Sequence, residues 1–96
     1  MLSTKVLGLL LQIPKGKVTT YGIIANKLKT SPRAIGRVLK ENHNYKYPCY
    51  KVVLSTGNIG QYNKGQTKKK ELLEKDNIKI KNNKIIDFEK ILWEYN

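Results

Sequence analysis

The 96-residue sequence lacks the features that define several large classes of protein. It has one cysteine, Cys49, which excludes an internal disulfide framework and predicts a reducing, cytoplasmic location. With His43 as the one histidine it cannot supply the four ligands of a usual zinc site, so no metal is expected. No Gly-rich phosphate loop, paired-carboxylate site or Ser-His-Asp arrangement is present, and no cofactor is expected.

Acidic residues are also scarce, and they are unevenly distributed. The chain has 19 Lys and Arg against 7 Asp and Glu, a formal net charge of +12. Residues 1–40 contain no acidic residue and carry +8, residues 41–70 carry +5, and residues 71–96 carry −1. A positive charge confined to part of a chain is typical of a phosphate-binding face. The distribution therefore predicts a polyanionic partner.

The length and the 40% apolar content predict a single globular domain over residues 1–96. The apolar run near the start has helical spacing, which predicts an amphipathic helix from Leu2 to Ile13 that Pro14 closes. This run is too short for a signal peptide, and no apolar run reaches the ~20 residues of a membrane helix. We therefore expect a soluble protein with no membrane partner.

Two short helices are predicted next, joined by a short turn. A capping threonine, Thr19 or Thr20, starts a helix that runs to about Leu28. Ser31 before a proline is a strong helix start and predicts a third helix over residues 31–41. Two short helices with this connection are typical of a helix-turn-helix, whose second helix usually enters a DNA groove.

The third helix contains small residues that need an explanation. Gly36 lies in its predicted interior, where glycine costs ~1 kcal/mol relative to alanine. Ala34 lies two residues before it. Close approach of the helix to a DNA groove would explain both residues, and so would close packing against another helix. The spacing alone favours neither explanation.

The C-terminal half begins with an irregular, glycine-rich segment over residues 42–66, followed by a helix to about Lys75. In that helix the lysine run 68–70 is expected to form a solvated face. Alternation around an Asn-Asn turn predicts a β-hairpin over residues 78–86. Asp87 is expected to cap a closing helix that carries Phe88, Ile91, Leu92 and Trp93. The predicted fold is mainly α with a small β-hairpin, a winged helix-turn-helix DNA-binding domain.

The residues around Cys49 permit two interpretations. A lone cysteine in such a protein is most often a small buried residue without reactivity. A nucleophilic cysteine needs its thiolate form, which nearby positive charge such as that of Lys51 would favour. Composition and spacing leave both possibilities open.

Five stretches occur in an informative order: I-P-K-G-K-V-T-T-Y-G-I-I-A at 13–25, S-P-R-A-I-G-R at 31–37, Asn42, P-C-Y-K-V-V at 48–53 and G-N-I-G-Q-Y-N-K-G at 57–65. Over about residues 2–76 the chain resembles the DNA-binding and active-site domain of alkylguanine-DNA alkyltransferases, which repair guanine alkylated at O6. Residues 78–93 are similar to the tail of the small alkyltransferase-like proteins. Those proteins usually have tryptophan where this chain has its cysteine.

The resemblance implies that the protein binds double-stranded DNA in the minor groove, flips O6-alkylguanine out of the duplex and transfers the alkyl group irreversibly to Cys49. It implies catalytic or relay roles for Cys49, Tyr50, Asp76 and Asn42. The implied substrate-binding residues are Tyr21, Val52, Ile59, Gly60, Tyr62 and Asn63. The implied DNA-binding residues are Arg33, Ala34, Gly36, Arg37, Thr20 and Lys51.

The resemblance also implies particular roles for four of these side chains. Arg33 would enter the space left by the flipped nucleotide, and Tyr21 would help to rotate its phosphate. Tyr62 would donate a hydrogen bond to guanine, and Asn63 lies where a backbone N–H would face O6.

The chain departs from the family pattern beside the cysteine. The pattern is Pro-Cys-His-Arg-Val, whereas this chain has Tyr50 and Lys51 in place of the His and the Arg. In the family the His relays the thiol proton through water towards an acid that matches Asp76 here. Tyrosine, with a reference pKa of ~10, is no general base near pH 7, but it can orient a water or hydrogen-bond the thiolate.

Two other functions remain open. A non-enzymatic lesion sensor would bind alkylated guanine and recruit other repair proteins. A winged-helix regulator would recognise a DNA sequence, but it would leave the P-C-Y-K-V-V stretch and the glycine-rich segment unexplained. We expect a monomer that acts on double-stranded DNA containing alkylated guanine.

Overall fold

The computed structural model describes residues 1–95. Its helices and strands follow one another in this order: α1 (Leu2–Leu10), β1 (Thr19–Thr20), α2 (Tyr21–Leu28), α3 (Pro32–Glu41), a 3-10 turn (Cys49–Lys51), β2 (Val52–Val53), α4 (Gln66–Lys75), β3 (Ile80–Lys81), β4 (Lys84–Ile85) and α5 (Phe88–Ile91).

Local capping signals define the helix pair α2–α3. The Thr20 hydroxyl accepts a hydrogen bond from the backbone N–H of Ile23 at 3.0 Å, and the Ser31 hydroxyl accepts one from Ala34 at 3.1 Å. Lys29 ends α2 in the left-handed conformation, with φ of 56°. The two helices pack against each other across this short turn. The predicted helix-turn-helix is confirmed.

A short parallel strand pair joins the helix pair to the cysteine segment. β1 and β2 pair Thr19 with Val52 and Thr20 with Val53. Parallel strands need a long crossover connection, and here the crossover contains α2 and α3. The pairing holds the segment that follows Cys49 beside the start of α2. Two-residue strands leave no periodic pattern, so the sequence did not predict them.

The apolar interior is divided at this strand pair. Val52 lies in a cluster with residues of α1, α2 and α3, whereas Val53 lies in a second cluster with Ile59, Leu73 and Ile85. Successive strand residues point to opposite faces, which explains why these two neighbours enter different clusters. Cys49 belongs to the first cluster. The second cluster supports the C-terminal half.

The predicted hairpin is confirmed. β3 and β4 are antiparallel, with Ile80 opposite Ile85 and Lys81 opposite Lys84. The turn residues Asn82 and Asn83 have φ of 52° and 61°, the left-handed region that a tight two-residue hairpin turn requires. Asparagine tolerates this region better than most residues, so the Asn-Asn pair sets the turn.

Two predicted helix boundaries were wrong. α1 ends at Leu10 rather than Ile13, and Ile13 is buried in a turn that follows it. The closing helix α5 is four residues long, and its cap residue Asp87 makes no side-chain capping bond. Leu92 and Trp93 are extended because they pair with the backbone edge at Val18. Tertiary pairing replaces the helix there.

The helices among residues 1–95 are all too short or too polar to cross a membrane.

Candidate active site

A cleft of about 700 Å³ opens between α3 and the segments that follow the cysteine. Six of the residues expected in a binding site line it: Tyr21, Arg33, Gly36, Cys49, Tyr62 and Asn63. Five residues that the sequence analysis did not assign to a site complete the lining: Pro32, Leu39, Lys40, Leu54 and Gln61.

Cys49 contributes a buried thiol to this cleft. Its side chain is 5% exposed, and its backbone N–H donates to the Tyr47 carbonyl at 2.8 Å. The residue begins the 3-10 turn, which α1 and α4 pack against. A thiol that is mostly buried but lines an open cleft can be reached by a ligand seated in that cleft, while bulk water has little access.

Tyr62 lines the cleft together with Cys49. The two side chains interact electrostatically. Burial first, and then the neighbouring Cys49 and Tyr45, raise the pKa of Tyr62 to about 12. Tyr62 is therefore protonated near pH 7 and can donate a hydrogen bond to a thiolate or to a ligand in the cleft.

Two further tyrosines surround the same thiol. Burial, and secondarily Cys49, raises the pKa of Tyr21. Burial, then Asp76 and Cys49, raises the pKa of Tyr50. Tyr50 thus lies within electrostatic reach of both groups of the relay that the resemblance implies, although it does not line the cleft. Both tyrosines are neutral donors near pH 7.

Lys51 and Asp76 form a buried ion pair below the 3-10 turn. The Lys51 Nζ is 2.9 Å from Asp76 Oδ2 and donates to the Pro14 carbonyl at 2.9 Å. The same carboxylate oxygen accepts a hydrogen bond from the Gly16 N–H at 2.8 Å. Lys51 is 4% exposed, so its ammonium does not lie on an exposed surface, and its contact with DNA stays a prediction. The role of Asp76 as a relay acid stays a prediction.

α3 presents its exposed positive residues at the cleft and beside it. Arg33 is exposed in the first turn and lines the cleft, while Arg37, one turn later, is exposed but does not line it. Ala34 is half-buried beside Arg33 and also lies outside the cleft lining. α3 thus lines the cleft from its first turn, at Arg33, to its last turn, at Lys40.

Gly36 is not required by packing inside the protein. A Cβ at this position would meet the Tyr21 ring at 3.9 Å, which is an ordinary van der Waals contact. The fold therefore accommodates alanine at position 36, and close helix–helix packing does not explain the glycine. Its position in the cleft lining favours the other explanation, close approach of a ligand.

Two asparagines fasten the end of α3 to the cysteine segment. The Asn63 side-chain amide donates to the carbonyls of Lys40, at 3.1 Å, and of Asn42. The Asn42 amide donates to the Tyr47 carbonyl at 3.4 Å, and its oxygen accepts from Asn44. Asn42 is buried, and these contacts indicate positioning of the loop before Cys49 rather than contact with substrate.

Four other expected site residues lie away from the cleft surface. Val52 and Ile59 are fully buried in the two apolar clusters. Gly60 is also buried, and its φ of +76° forms the bend before Gln61. Thr20 is 4% exposed and caps α2 with its hydroxyl, and its contact with DNA stays a prediction. These four residues are buried next to the site and do not line the cleft.

One buried residue near the site, Lys69, had no sequence signal that predicted its burial. Lys69 was expected on a solvated face, but it is 1% exposed. Its Nζ donates to the carbonyls of Val52 at 2.8 Å and Gln61 at 2.9 Å. One letter in a run of three lysines carries no signal that distinguishes this position from its neighbours.

Residues 1–78 match the family model of the 6-O-methylguanine DNA methyltransferase DNA-binding domain. The chain belongs to this methyltransferase family. A methylated-DNA–protein-cysteine methyltransferase from Methanocaldococcus jannaschii is 44% identical over 77 residues, which are 79% of this chain and 46% of that protein. A methyltransferase of the same name from Saccharolobus islandicus is 45% identical over 71 residues. The chain spans about half the length of these curated methyltransferase relatives.

Solved structures give the same family and extend the match into the tail. S. pombe Atl1, in complex with damaged DNA containing O6-carboxymethylguanine, has a TM-score of 0.86 and 27% identity and covers 97% of this chain and 94% of that one. The methyltransferase from Pyrococcus kodakaraensis has a TM-score of 0.75 and 40% identity but covers 80% of this chain and 46% of that one. Both comparisons confirm the predicted fold class.

Proposed function

We propose that this chain binds double-stranded DNA that contains O6-alkylguanine and transfers the alkyl group to Cys49. The observation that carries the proposal is the buried Cys49 thiol in the lining of an open cleft that Tyr62 also lines. The methyltransferase relatives, and the lesion-containing DNA bound to Atl1, support the same chemistry.

In this proposal DNA binding uses the first turn of α3. Arg33 is exposed at the edge of the cleft, so it can replace a flipped nucleotide in the duplex while the damaged base enters the cleft. Extruding a base costs a few kcal/mol, and least for a damaged pair. The net charge of +12 attracts any duplex, so lesion recognition depends on the cleft rather than on overall charge.

The reaction is a single displacement at the alkyl carbon. The Cys49 thiol loses its proton to water, and a sulfur lone pair forms the new bond to carbon. The bond between that carbon and O6 breaks, its electron pair leaves with guanine, and guanine takes up one proton. Tyr62 supports the departing base by hydrogen bonding, and the alkylated cysteine is not regenerated, so each chain reacts once.

Tyr50 has a supporting part in this mechanism. It is a neutral donor within electrostatic reach of Cys49 and Asp76, so it orients a water at the thiol or hydrogen-bonds the thiolate. Asn42 holds the loop before Cys49.

Intact-mass measurement tests the transfer directly. The protein is incubated with duplex DNA containing one O6-methylguanine, and one chain is expected to gain the mass of a single CH2 on Cys49. Cys49→Ser and an undamaged duplex serve as controls and should show no gain. No mass increase on the wild type after long incubation would contradict the proposal.

The same experiment separates transfer from recognition alone. A protein that binds the lesion duplex more tightly than the undamaged duplex, but gains no mass, would be the non-enzymatic sensor. Equal binding to both duplexes would instead indicate a regulator unrelated to lesions. The monomeric state, the single domain over residues 1–96 and the recruitment of other repair proteins stay predictions.

A further inference from the structure

The β-hairpin is more basic than the net charge of its region indicates. Residues 71–96 carry −1, but within them residues 78–86 contain three lysines and no acidic residue. The acidic residues of the region precede and follow the hairpin, at 71–76 and 87–94. The three lysines are Lys79, Lys81 and Lys84, and all of them are exposed. The hairpin is therefore a positively charged element between two acidic stretches.

The strand register places two of these lysines against each other. Lys81 of β3 lies directly opposite Lys84 of β4. Like charges at directly opposite positions destabilise a strand pair. Among residues 1–95 the ion pair within salt-bridge distance joins Lys51 and Asp76, so within this range no carboxylate compensates either hairpin lysine. An anion bound beside the two ammonium groups would remove their repulsion.

Backbone hydrogen bonds fasten the hairpin to a wall of the cleft. Lys84 forms an antiparallel bridge with Asn58, and the Asn58 carbonyl accepts a hydrogen bond from the Leu54 N–H at 2.9 Å. Leu54 lines the cleft. The carbonyl of Asn83, in the hairpin turn, accepts from the Ile59 N–H at 2.9 Å. One strand spacing, about 5 Å, therefore separates the hairpin from the segment that forms this wall.

The dimensions of the protein let one duplex reach both sides of the cleft. α3 forms one side and carries Arg33 and Lys40 in the cleft lining, while Leu54 belongs to the other side, next to the hairpin. The protein is 35 Å along its longest axis. One turn of duplex DNA has about the same length, roughly 34–36 Å. A duplex whose damaged base enters the cleft therefore extends past both walls.

We infer that the hairpin is a second DNA contact, in which Lys81 and Lys84 bind backbone phosphates that flank the damaged nucleotide on the side of the cleft opposite α3. Phosphate contacts position a protein on the duplex and carry no sequence information. The hairpin therefore adds affinity for any duplex and leaves recognition of the lesion to the cleft. The inference rests on the proposed function, because that function places the duplex across the cleft.

Lysines on an outer strand have another known use, which the sign of the charge distinguishes. Charged side chains at the edge of a sheet hinder pairing with other chains, and β3 is an outer strand of its two-stranded sheet. That role needs a charge of either sign, whereas a phosphate needs a positive one. Lys81→Glu keeps a charged edge and pairs with Lys84 across the strands. It should melt at or above the wild-type temperature without aggregating, yet bind DNA more weakly.

The main test is the salt dependence of DNA binding, measured by fluorescence anisotropy. Each phosphate contact contributes about 0.9 to the slope of log Kobs against log salt concentration. We expect the double variant Lys81→Gln/Lys84→Gln to reduce this slope by about two and to raise Kd at 0.1 M salt by at least about tenfold. An undamaged duplex and one containing O6-methylguanine should lose affinity by the same factor.

A second double variant controls for net charge. Lys70→Gln/Lys75→Gln removes the same charge from exposed positions of α4, where Glu74 and Glu71 lie four residues from the two lysines. It should leave the slope and Kd unchanged. Thermal unfolding establishes that each variant is folded, and Lys81→Glu replaces the hairpin variant if that one does not fold. A folded hairpin variant with the wild-type slope, or equal losses in the two double variants, would overturn the inference.

Shortening the duplex on one side of the lesion locates the contact. Wild-type binding should weaken when the truncation removes the phosphates at the hairpin, whereas the hairpin double variant should not respond to that truncation. The same dependence on length in both proteins, on either side of the lesion, would contradict the inference.

The mass measurement on Cys49 keeps this inference separate from the proposed function. A wild type that gains no mass contradicts the proposed transfer, whereas the salt slopes still decide whether the hairpin binds phosphates. Normal transfer together with an unchanged slope in the hairpin variant would overturn the inference alone. A wild type that binds no duplex would overturn both.

Discussion

The polar groups of the cleft face and those of the C-terminal tail have different partners. We define the cleft face as α3 with residues 61–63, and the tail as residues 87–95. On the cleft face Arg33 and Lys40 are exposed around an open pocket. In the tail the Trp93 carbonyl accepts from the Thr19 hydroxyl at 2.9 Å, and the Tyr95 hydroxyl donates to the Leu9 carbonyl at 2.7 Å. The cleft face has exposed charged groups that are available to a ligand. The polar groups of the tail are hydrogen-bonded to other parts of the protein.

The comparison also divides the basic residues of the cysteine segments. Lys51 and Lys69 belong to the positively charged part of the chain, yet both are buried and bonded to groups of the protein itself. The net charge of a segment therefore does not measure the charge that it presents to DNA. Burial decides which lysines bind a partner and which hold the site together.

The largest expected effect on stability is that of Lys51→Met. Removal of one partner from a buried ion pair leaves the Asp76 carboxylate uncompensated and typically costs about 3–5 kcal/mol. Lys40→Met, at the exposed edge of the cleft, should change the free energy of unfolding by less than about 0.5 kcal/mol. Urea denaturation measures both values. If Lys51→Met were stable but bound DNA weakly, Lys51 would belong to the cleft face after all.

Arg33→Ala tests the cleft face without disturbing the fold. We expect lesion binding to weaken by a few kcal/mol at most, roughly up to a hundredfold in Kd, because no side chain replaces the flipped base. Thermal stability should stay unchanged, since Arg33 is exposed. Fluorescence anisotropy with a lesion duplex measures Kd, and calorimetry measures the melting temperature. A large loss of thermal stability would show that Arg33 is structural.

Gly36→Ala should separate stability from binding. Because a Cβ fits at this position, the variant should be more stable by up to ~1 kcal/mol, the helix propensity difference. Lesion binding should nevertheless weaken, because the added methyl group lies in the cleft lining. Gly8→Ala in α1 is the matched control, since a Cβ there meets nothing within 4 Å. It should stabilise the protein without any change in Kd; unchanged binding by Gly36→Ala would remove the functional explanation of Gly36.

Tyr95→Phe tests the tail, with the smallest expected effect. Loss of its hydrogen bond to Leu9 should cost about 1 kcal/mol at neutral pH and leave lesion binding unchanged. Burial raises the pKa of Tyr95 from 10.0 to about 12. The folded state thus favours the neutral phenol, and this stability is lost as the pH rises from about 10 to about 12. Chemical denaturation across this range should show a smaller alkaline loss for Tyr95→Phe; an equal loss would place its cause elsewhere.

Much of the fold could be predicted because its signals are local. Thr20 and Ser31 cap helices three residues away, and the Asn82–Asn83 turn joins adjacent strands. The helix prediction was wrong where pairing with a segment distant in the sequence determined the backbone conformation. Trp93 is extended rather than helical because its N–H reaches the Val18 carbonyl, and no pattern near Trp93 records that partner.

The candidate site was predictable in part. The motif resemblance pointed to Cys49, Tyr62 and Arg33, and all three line one cleft. The resemblance did not distinguish residues that line the cleft from residues buried beneath it, because a sequence motif contains both kinds. Val52 and Lys51 are adjacent to the thiol segment in sequence but face the interior.

The sequence by itself determined the helix starts, the hairpin turn, the location of the positive charge and the motif around the cysteine. These depend on residue type and on neighbours within a few positions. The tertiary structure decided the parallel pairing of β1 with β2, the ion pair of Lys51 with Asp76 and the burial of Lys69 against Val52, 17 residues away. The physical reason is that a lysine carries the same charge wherever it stands in a chain. Only the packed fold decides whether water, a carboxylate or a backbone carbonyl surrounds that charge.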